Sequence, residues 1–210
     1  LTLVHFDEGN RVPGGTEPTG RNTGEDHGMA ASATAGNRTV LLTRSGIRVL
    51  LRNAGAGDLE SVNELHARCS VRSREGRYLR RRETLRVSEW QRLVDRRHGL
   101  CQVAFVSRAE DRPIGYATLT PTGRPGDWEA SVLIEDLWQN KGVGTAVAGR
   151  LIDLAAENGV RFVITHVAVG NRPALWLFRR LGAEVTVRHD LVEARVAVAG
   201  PRGRTTPAPR

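Results

Sequence analysis

The stretch Gln139-Asn140-Lys141-Gly142-Val143-Gly144-Thr145 stands between an apolar run ending at Ile134 and a long amphipathic segment. A strand, a glycine-punctuated turn and a helix in that order make an anion cradle. The short turn lets backbone N–H groups converge without side chains in the way, and the helix behind it adds roughly half a positive charge. The spacing matches neither the Gly-x-x-x-x-Gly-Lys-Ser/Thr loop nor the Gly-x-Gly-x-x-Gly fingerprint. It therefore implies a phosphorylated cofactor held in some other way.

A chain of 210 residues that is 40% hydrophobic can build one globular core but hardly two. Residues 1–38 and 199–210 are polar, rich in Gly, Thr or Pro, and lack periodicity, so both are expected to be disordered tails around one domain over 39–198. Met29, the only methionine, and Leu1 are alternative starting points. No apolar run approaches a membrane span and no signal-peptide core precedes the domain, so a cytoplasmic protein is expected. Cys69 and Cys101 have no ligand spacing, nor do His5, His27, His66, His98, His166 and His189, so no metal site is expected. The net charge of +8 is arginine-borne, with Lys141 the only lysine and ten arginines between Arg72 and Arg97. Such a surface favours an anionic partner. Without interleaved aromatics or a nucleic-acid motif, it argues against DNA or RNA.

Strands are expected at 47–52, 101–107, 114–119, 128–134, 162–168, 184–188 and 191–198. Helices are expected from Asp58 through Arg68, across the Arg-rich 73–97, from Gly144 to Asn158, and from Asn171 and Pro173 to Gly182. The class is α+β, a central mixed twisted sheet of about six to seven strands flanked by about four helices.

This order, with the cradle between the fourth strand and the third main helix, resembles the GNAT acyltransferase superfamily. Gln139, Gly142 and Gly144 are similar to that family's Gln/Arg-x-x-Gly-x-Gly/Ala loop. Asn171, Phe178 and Gly182 are similar to its Asn-x6-Tyr-x3-Gly block. The resemblance covers about residues 47–198 and implies acetyl-CoA as cofactor. Its pantetheine arm would pair with the backbone of Val132, Leu133 and Ile134. Its pyrophosphate would rest on Gln139, Asn140, Lys141, Gly142, Val143, Gly144 and Thr145. Asn171 would contact the pantetheine arm, cap the last helix, or do both.

The resemblance also implies transfer of the acetyl group to an amine acceptor, a protein lysine or a small primary amine. Glu129, ten residues before Gln139, is placed like the catalytic glutamate of bacterial protein lysine acetyltransferases and is the expected general base. His166 is a second candidate, as a neutral imidazole that relays protons or orients substrate. Phe178 replaces the tyrosine that many relatives use to protonate the leaving thiolate, so the acid is unassigned. Tyr116, on an earlier strand, is a substitute or, more in keeping with its place, a packed aromatic. Loss of that tyrosine keeps open a non-catalytic acyl-CoA-binding or sensor domain. Leu65-His66-Ala67-Arg68-Cys69-Ser70 and Arg77-Tyr78 resemble the helix-loop of the same lysine acetyltransferases, with altered spacing. A homodimer is compatible with all of this.

Overall fold

The computed structural model describes residues 38–106, 110 and 112–198. The segments expected to be tails lie outside these residues except for Arg38, whose guanidinium pairs with Glu110 at 3.0 Å. Among the described residues the chain forms β1 (Thr39–Leu42), β2 (Arg48–Asn53), α1 (Leu59–Arg68), α2 (Val71–Tyr78), α3 (Val87–Val94) and β3 (Leu100–Phe105). It continues through β4 (Gly115–Pro121), β5 (Asp127–Ile134), α4 (Val143–Glu157), β6 (Phe162–Ala168), α5 (Arg172–Arg180), β7 (Glu184–Arg188) and β8 (Leu191–Ala197). The eight strands make one sheet in the order β1-β2-β3-β4-β5-β6-β8-β7. Only the β5–β6 pair is parallel.

Two differences from the sequence reading concern the first half. β1 was not expected; it pairs with β2 through the turn at 43–46, where Gly46 takes φ +79° and the Thr43 hydroxyl accepts from the Ile47 N–H at 3.0 Å. The single helical segment expected over 73–97 is two helices. α2 starts at Ser70, whose hydroxyl accepts from the Ser73 N–H, and stops where Leu79 turns left-handed at φ +53°. α3 starts at Arg86, whose N–H donates to the Glu89 carboxylate at 2.9 Å. Arginine's helix propensity runs through the break, but the left-handed turn at Leu79 ends α2, and Tyr78 and Leu85 reach the same core from either side of it.

Each sheet face carries its own core. α1, α2 and α3 close one face over Val62, Leu65, Tyr78, Leu85, Trp90, Val103, Phe105, Tyr116 and Leu133. α4 and α5 close the other over Val49, Leu51, Ala117, Leu119, Val147, Leu151, Val163, Phe178 and Val192. Strand alternation sorts them: Tyr116 and Leu133 are a cross-strand pair on the first face, and Ala117 and Val132 on the second. At about 1.5–3 kcal/mol per fully buried large apolar side chain, these two layers supply most of the driving force. Among the described residues, no helix is long and apolar enough to cross a membrane.

Candidate active site

The parallel ladder between β5 and β6 has three paired positions: Asp127 with Phe162, Trp128 with Val163, and Glu129 with Ile164. Beyond Glu129 the two strands part. β5 runs on to Ile134 paired only with β4, and β6 runs on to Ala168 paired only with β8. A wedge opens between two backbone edges.

Hydrogen-bond alternation decides which groups face that wedge. Glu135 N–H donates to the Ile114 carbonyl at 2.8 Å, so Leu133 and Ser131, in phase with Glu135, also turn their polar backbone groups to β4. Val132 and Ile134 turn theirs into the wedge. The Ile134 carbonyl is already taken, because Gln139 Nε2 donates to it at 2.9 Å and to Ser73 Oγ at 2.9 Å. Gln139 thus ties the loop to β5 and α2 through its side chain.

The loop itself is built from left-handed residues. Asn140 has φ +57° and Gly142 φ +81°. A Cβ on Gly142 would stand 3.3 Å from Thr43 Cβ, so the backbone geometry and the close approach both call for glycine. The unexpected β1–β2 turn is the buttress here: Ser45 Oγ donates to the Lys141 carbonyl at 2.7 Å. Lys141 Nζ folds back to 5.2 Å from the Trp138 ring centroid. Because Gly142 is the N-cap of α4, no side chain of that residue can accept from the first-turn N–H groups. A fifteen-residue helix with an uncapped N-terminus at the wide end of the wedge suits a diphosphate. At Gly144, in the first turn, an added Cβ would make only ordinary contact with Leu177 of α5, at 3.5 Å from its Cδ1.

α2 lies along β5 above the wedge. At its start, Asp136 accepts from the Ser70 N–H at 2.8 Å, Ser70 Oγ at 2.7 Å and Ser73 Oγ at 3.0 Å. Further along, a Cβ on Gly76 would meet Asn171 Nδ2 at 3.1 Å. Asn171 Oδ1 accepts from the Ala174 N–H at 3.3 Å, so Asn171 caps α5 while its amide nitrogen faces α2. Arg77 is buried and donates to Thr118 Oγ1 at 3.0 Å, and Thr118 in turn meets Ser131 Oγ at 2.8 Å.

At the narrow end Glu129 and His166 come together. Nδ1 of His166 lies 2.8 Å from Oε1 of Glu129, and Nε2 lies 3.6 Å from Oε2 of Glu193. The Glu129 hydrogen bond raises the His166 pKa above its ordinary value, against the opposing effect of burial, and the Glu193 charge adds to the rise. The shift stabilises the charged form of the ring relative to an isolated histidine. Glu193 was missed because a glutamate in an alternating terminal strand looks solvent-facing. Its register opposite His166 is a property of the sheet.

The two aromatic residues considered for the acid both lie in the core. Phe178 is 3% exposed in the α4–α5 core. Tyr116 is fully buried, with its hydroxyl hydrogen-bonded to that of Tyr78. Among the described residues no group of three or more His, Cys, Asp or Glu side chains is placed to hold a metal ion.

The acetyltransferase (GNAT) family model matches residues 59–183, more than half of the chain. The chain belongs to the GNAT acetyltransferase family. It is 29% identical over 94 residues to the L-methionine sulfoximine/L-methionine sulfone acetyltransferases of Pseudomonas paraeruginosa and Pseudomonas aeruginosa, a match covering 40% of this chain. The aligned part spans about half (51%) of the length of those relatives. In fold, this GNAT chain is similar to the GNAT domain of S. lividans PAT, with TM-score 0.69 and 17% identity over 76% of this chain and 96% of that one. It is also similar to a cAMP-binding acyltransferase from Mycobacterium smegmatis, with TM-score 0.57 and 24% identity over 82% of this chain and 50% of that one.

Proposed function

We propose that this GNAT chain is an acetyl-CoA-dependent N-acetyltransferase that acetylates an amine, a protein lysine or a small primary amine, by direct attack with Glu129 as general base. The observation that carries the reading is the place of Glu129. It is the last ladder-paired residue of β5 on its β6 side, at the closed end of a wedge whose open end meets the uncapped start of α4.

The residues present fit acetyl-CoA. The N–H groups at the start of α4 would hold its diphosphate, and the wedge-facing N–H and carbonyl of Val132 with the N–H of Ile134 would pair with its pantetheine amides. When bound, the cofactor supplies a thioester carbonyl as the acyl source. The Pseudomonas relatives are named for acetylating L-methionine sulfoximine and L-methionine sulfone, which supports acetyl transfer to a small molecule as one arm of the reading.

An amine of pKa near 10.4 must lose a proton before attack, which at neutral pH costs about 3.4 units or roughly 4.6 kcal/mol. Glu129 is the group to accept it. Its Oε1 is held by His166, which leaves Oε2 for the amine. Phe178 offers no proton to the departing sulfur, and the Tyr116 hydroxyl is committed to Tyr78. A thiol pKa near 8.5 makes departure as thiolate tolerable.

The test is free-thiol release from acetyl-CoA with a panel of amines and lysine peptides. Glu129→Gln should lower kcat by about 100-fold or more with the KM for acetyl-CoA unchanged. Full activity in that variant would sink the assigned base. Tight acetyl-CoA binding without turnover across the panel would instead favour a non-catalytic acyl-CoA-binding domain, the reading that Phe178 keeps open.

A further inference from the structure

His166 stands between two carboxylates supplied by different strands. Glu129 is on β5 and Glu193 on β8, and the sheet order β5-β6-β8 sets the three residues on one face in adjacent strands. Glu193 is the cross-strand partner of His166 and lies beyond residue 183, outside the segment that matches the family model. The side chains of Glu129 and Glu193 are 14% and 16% exposed and that of His166 is 34% exposed, so the cluster is open to an acceptor yet largely shielded.

We propose that Glu193 is a positioning residue of this site: it holds the His166 ring so that Nδ1–H donates to Glu129 Oε1 and the second Glu129 oxygen is aimed at the acceptor amine. The proposal rests on Glu129 being the base. A neutral imidazole can donate its one N–H to Glu129 but meets Glu193 without a charge; the doubly protonated ring donates to Glu129 and pairs with the Glu193 charge across 3.6 Å. Loss of that proton turns a lone pair toward one carboxylate and releases the ring. The other charged groups on this sheet face are already balanced nearby or lie further out. Asp127 and Arg195, two residues from Glu129 on β5 and from Glu193 on β8, form an ion pair at 3.3 Å. Glu184 and Arg188 sit on β7 beyond Glu193, and α2 presents Arg77, which is turned to Thr118.

Activity with a bound acceptor should then fall as pH rises through the His166 titration, and Glu193 sets where that happens. The experiment is an NMR titration of the His166 imidazole in the full chain, identified by subtraction with His166→Gln, alongside the pH dependence of kcat/KM with a primary amine. In Glu193→Gln the His166 titration should move to lower pH, and the alkaline limb of kcat/KM should move with it. At pH 8 kcat/KM should fall roughly tenfold, while the KM for acetyl-CoA and the unfolding midpoint stay unchanged. An unmoved His166 titration overturns the proposal. So does a moved titration with an unmoved limb, which would leave Glu193 a merely structural partner. Absence of thiol release by the wild type with every amine would defeat the base assignment itself, whereas the titration still decides whether Glu193 holds the ring.

Discussion

The imidazole of His66 accepts a hydrogen bond from the Tyr78 hydroxyl across 2.6 Å in a fully buried position. The direction follows from the other nitrogen. Nδ1 lies 2.7 Å from the Val62 carbonyl, which can only accept, so Nδ1 carries the proton and Nε2 offers its lone pair. Tyr78 then accepts from Tyr116, and the chain of three polar groups is satisfied end to end. Burial lowers the His66 pKa to about 4, opposed by the Val62 bond and assisted by the charges of Arg77, Arg82 and Arg74.

That shift makes the fold sensitive to mild acid. The unfolded chain binds a proton at His66 near pH 6.5 and the folded chain only near 4, so the unfolded state holds more protons between those values and stability rises with pH there. The contribution is fully present above about pH 6.5 and lost on acidification toward 4, by roughly 3 kcal/mol. Urea unfolding at pH 7 and pH 4.5 should show this loss, and His66→Gln should shrink the difference between the two pH values.

Tyr78→Phe removes the middle hydroxyl of the same chain. It leaves the His66 nitrogen and the Tyr116 hydroxyl buried without each other's bridge, which should cost about 1–3 kcal/mol. Removing the Tyr116 hydroxyl as well should cost less than the sum of the single changes, because the Tyr116 group has then lost a partner it no longer needs. A double-mutant cycle read by urea denaturation checks this.

Much of this architecture was legible because it obeys periodicity. The strand entering the loop, the long helix after it, and the helix opened by Asn171 and Pro173 were each expected within a few residues. They carry alternation, a glycine turn and an N-cap, which are local signals. β1 was not legible, since four residues at the border of a polar segment have too little pattern to separate from it, and Leu41 is recognised as core only once β2 is beside it. The loop's glycines could be read, but their supports, Thr43 and Ser45, come from that missed hairpin almost a hundred residues away. Glu129 and His166 could be named singly; their 2.8 Å contact depends on where the parallel ladder ends.

Glu135 gives a third prediction. Its carboxylate is 2% exposed and is gripped from two sides, by Arg68 at 3.3 Å and Arg112 at 3.1 Å. The grip joins the end of α1 to the segment leading into β4, since Arg68 Nη2 also donates to the Pro113 carbonyl at 2.7 Å. Both arginines retain some access to solvent, so their stranded charges in Glu135→Ala are partly relieved. The loss should be about 2–3 kcal/mol, below the range for a fully buried pair. Thermal unfolding of the variant at neutral pH measures it, and a change within 0.5 kcal/mol, the size of an ordinary surface substitution, would mean that the clamp contributes nothing.

The glycines of α4 supply a matched pair in which the same substitution should have opposite effects. At Gly142 a methyl group would meet Thr43 Cβ at 3.3 Å while the backbone is held at φ +81°, so Gly142→Ala should cost about 1–2 kcal/mol. Relief of that strain would turn the first N–H groups of the helix away from the anion they are expected to bind. The KM for acetyl-CoA should therefore rise tenfold or more, with kcat much less affected. At Gly149, in the interior of the same helix, an added Cβ meets nothing within 4 Å. Gly149→Ala should stabilise the fold by about 0.5–1 kcal/mol through the unfolded chain's lost freedom, leaving the KM for acetyl-CoA alone. The two variants share the helix and the added methyl, so a rise in KM confined to Gly142→Ala ties cofactor affinity to the geometry of the loop. An equal KM in both variants would detach the cradle from the cofactor.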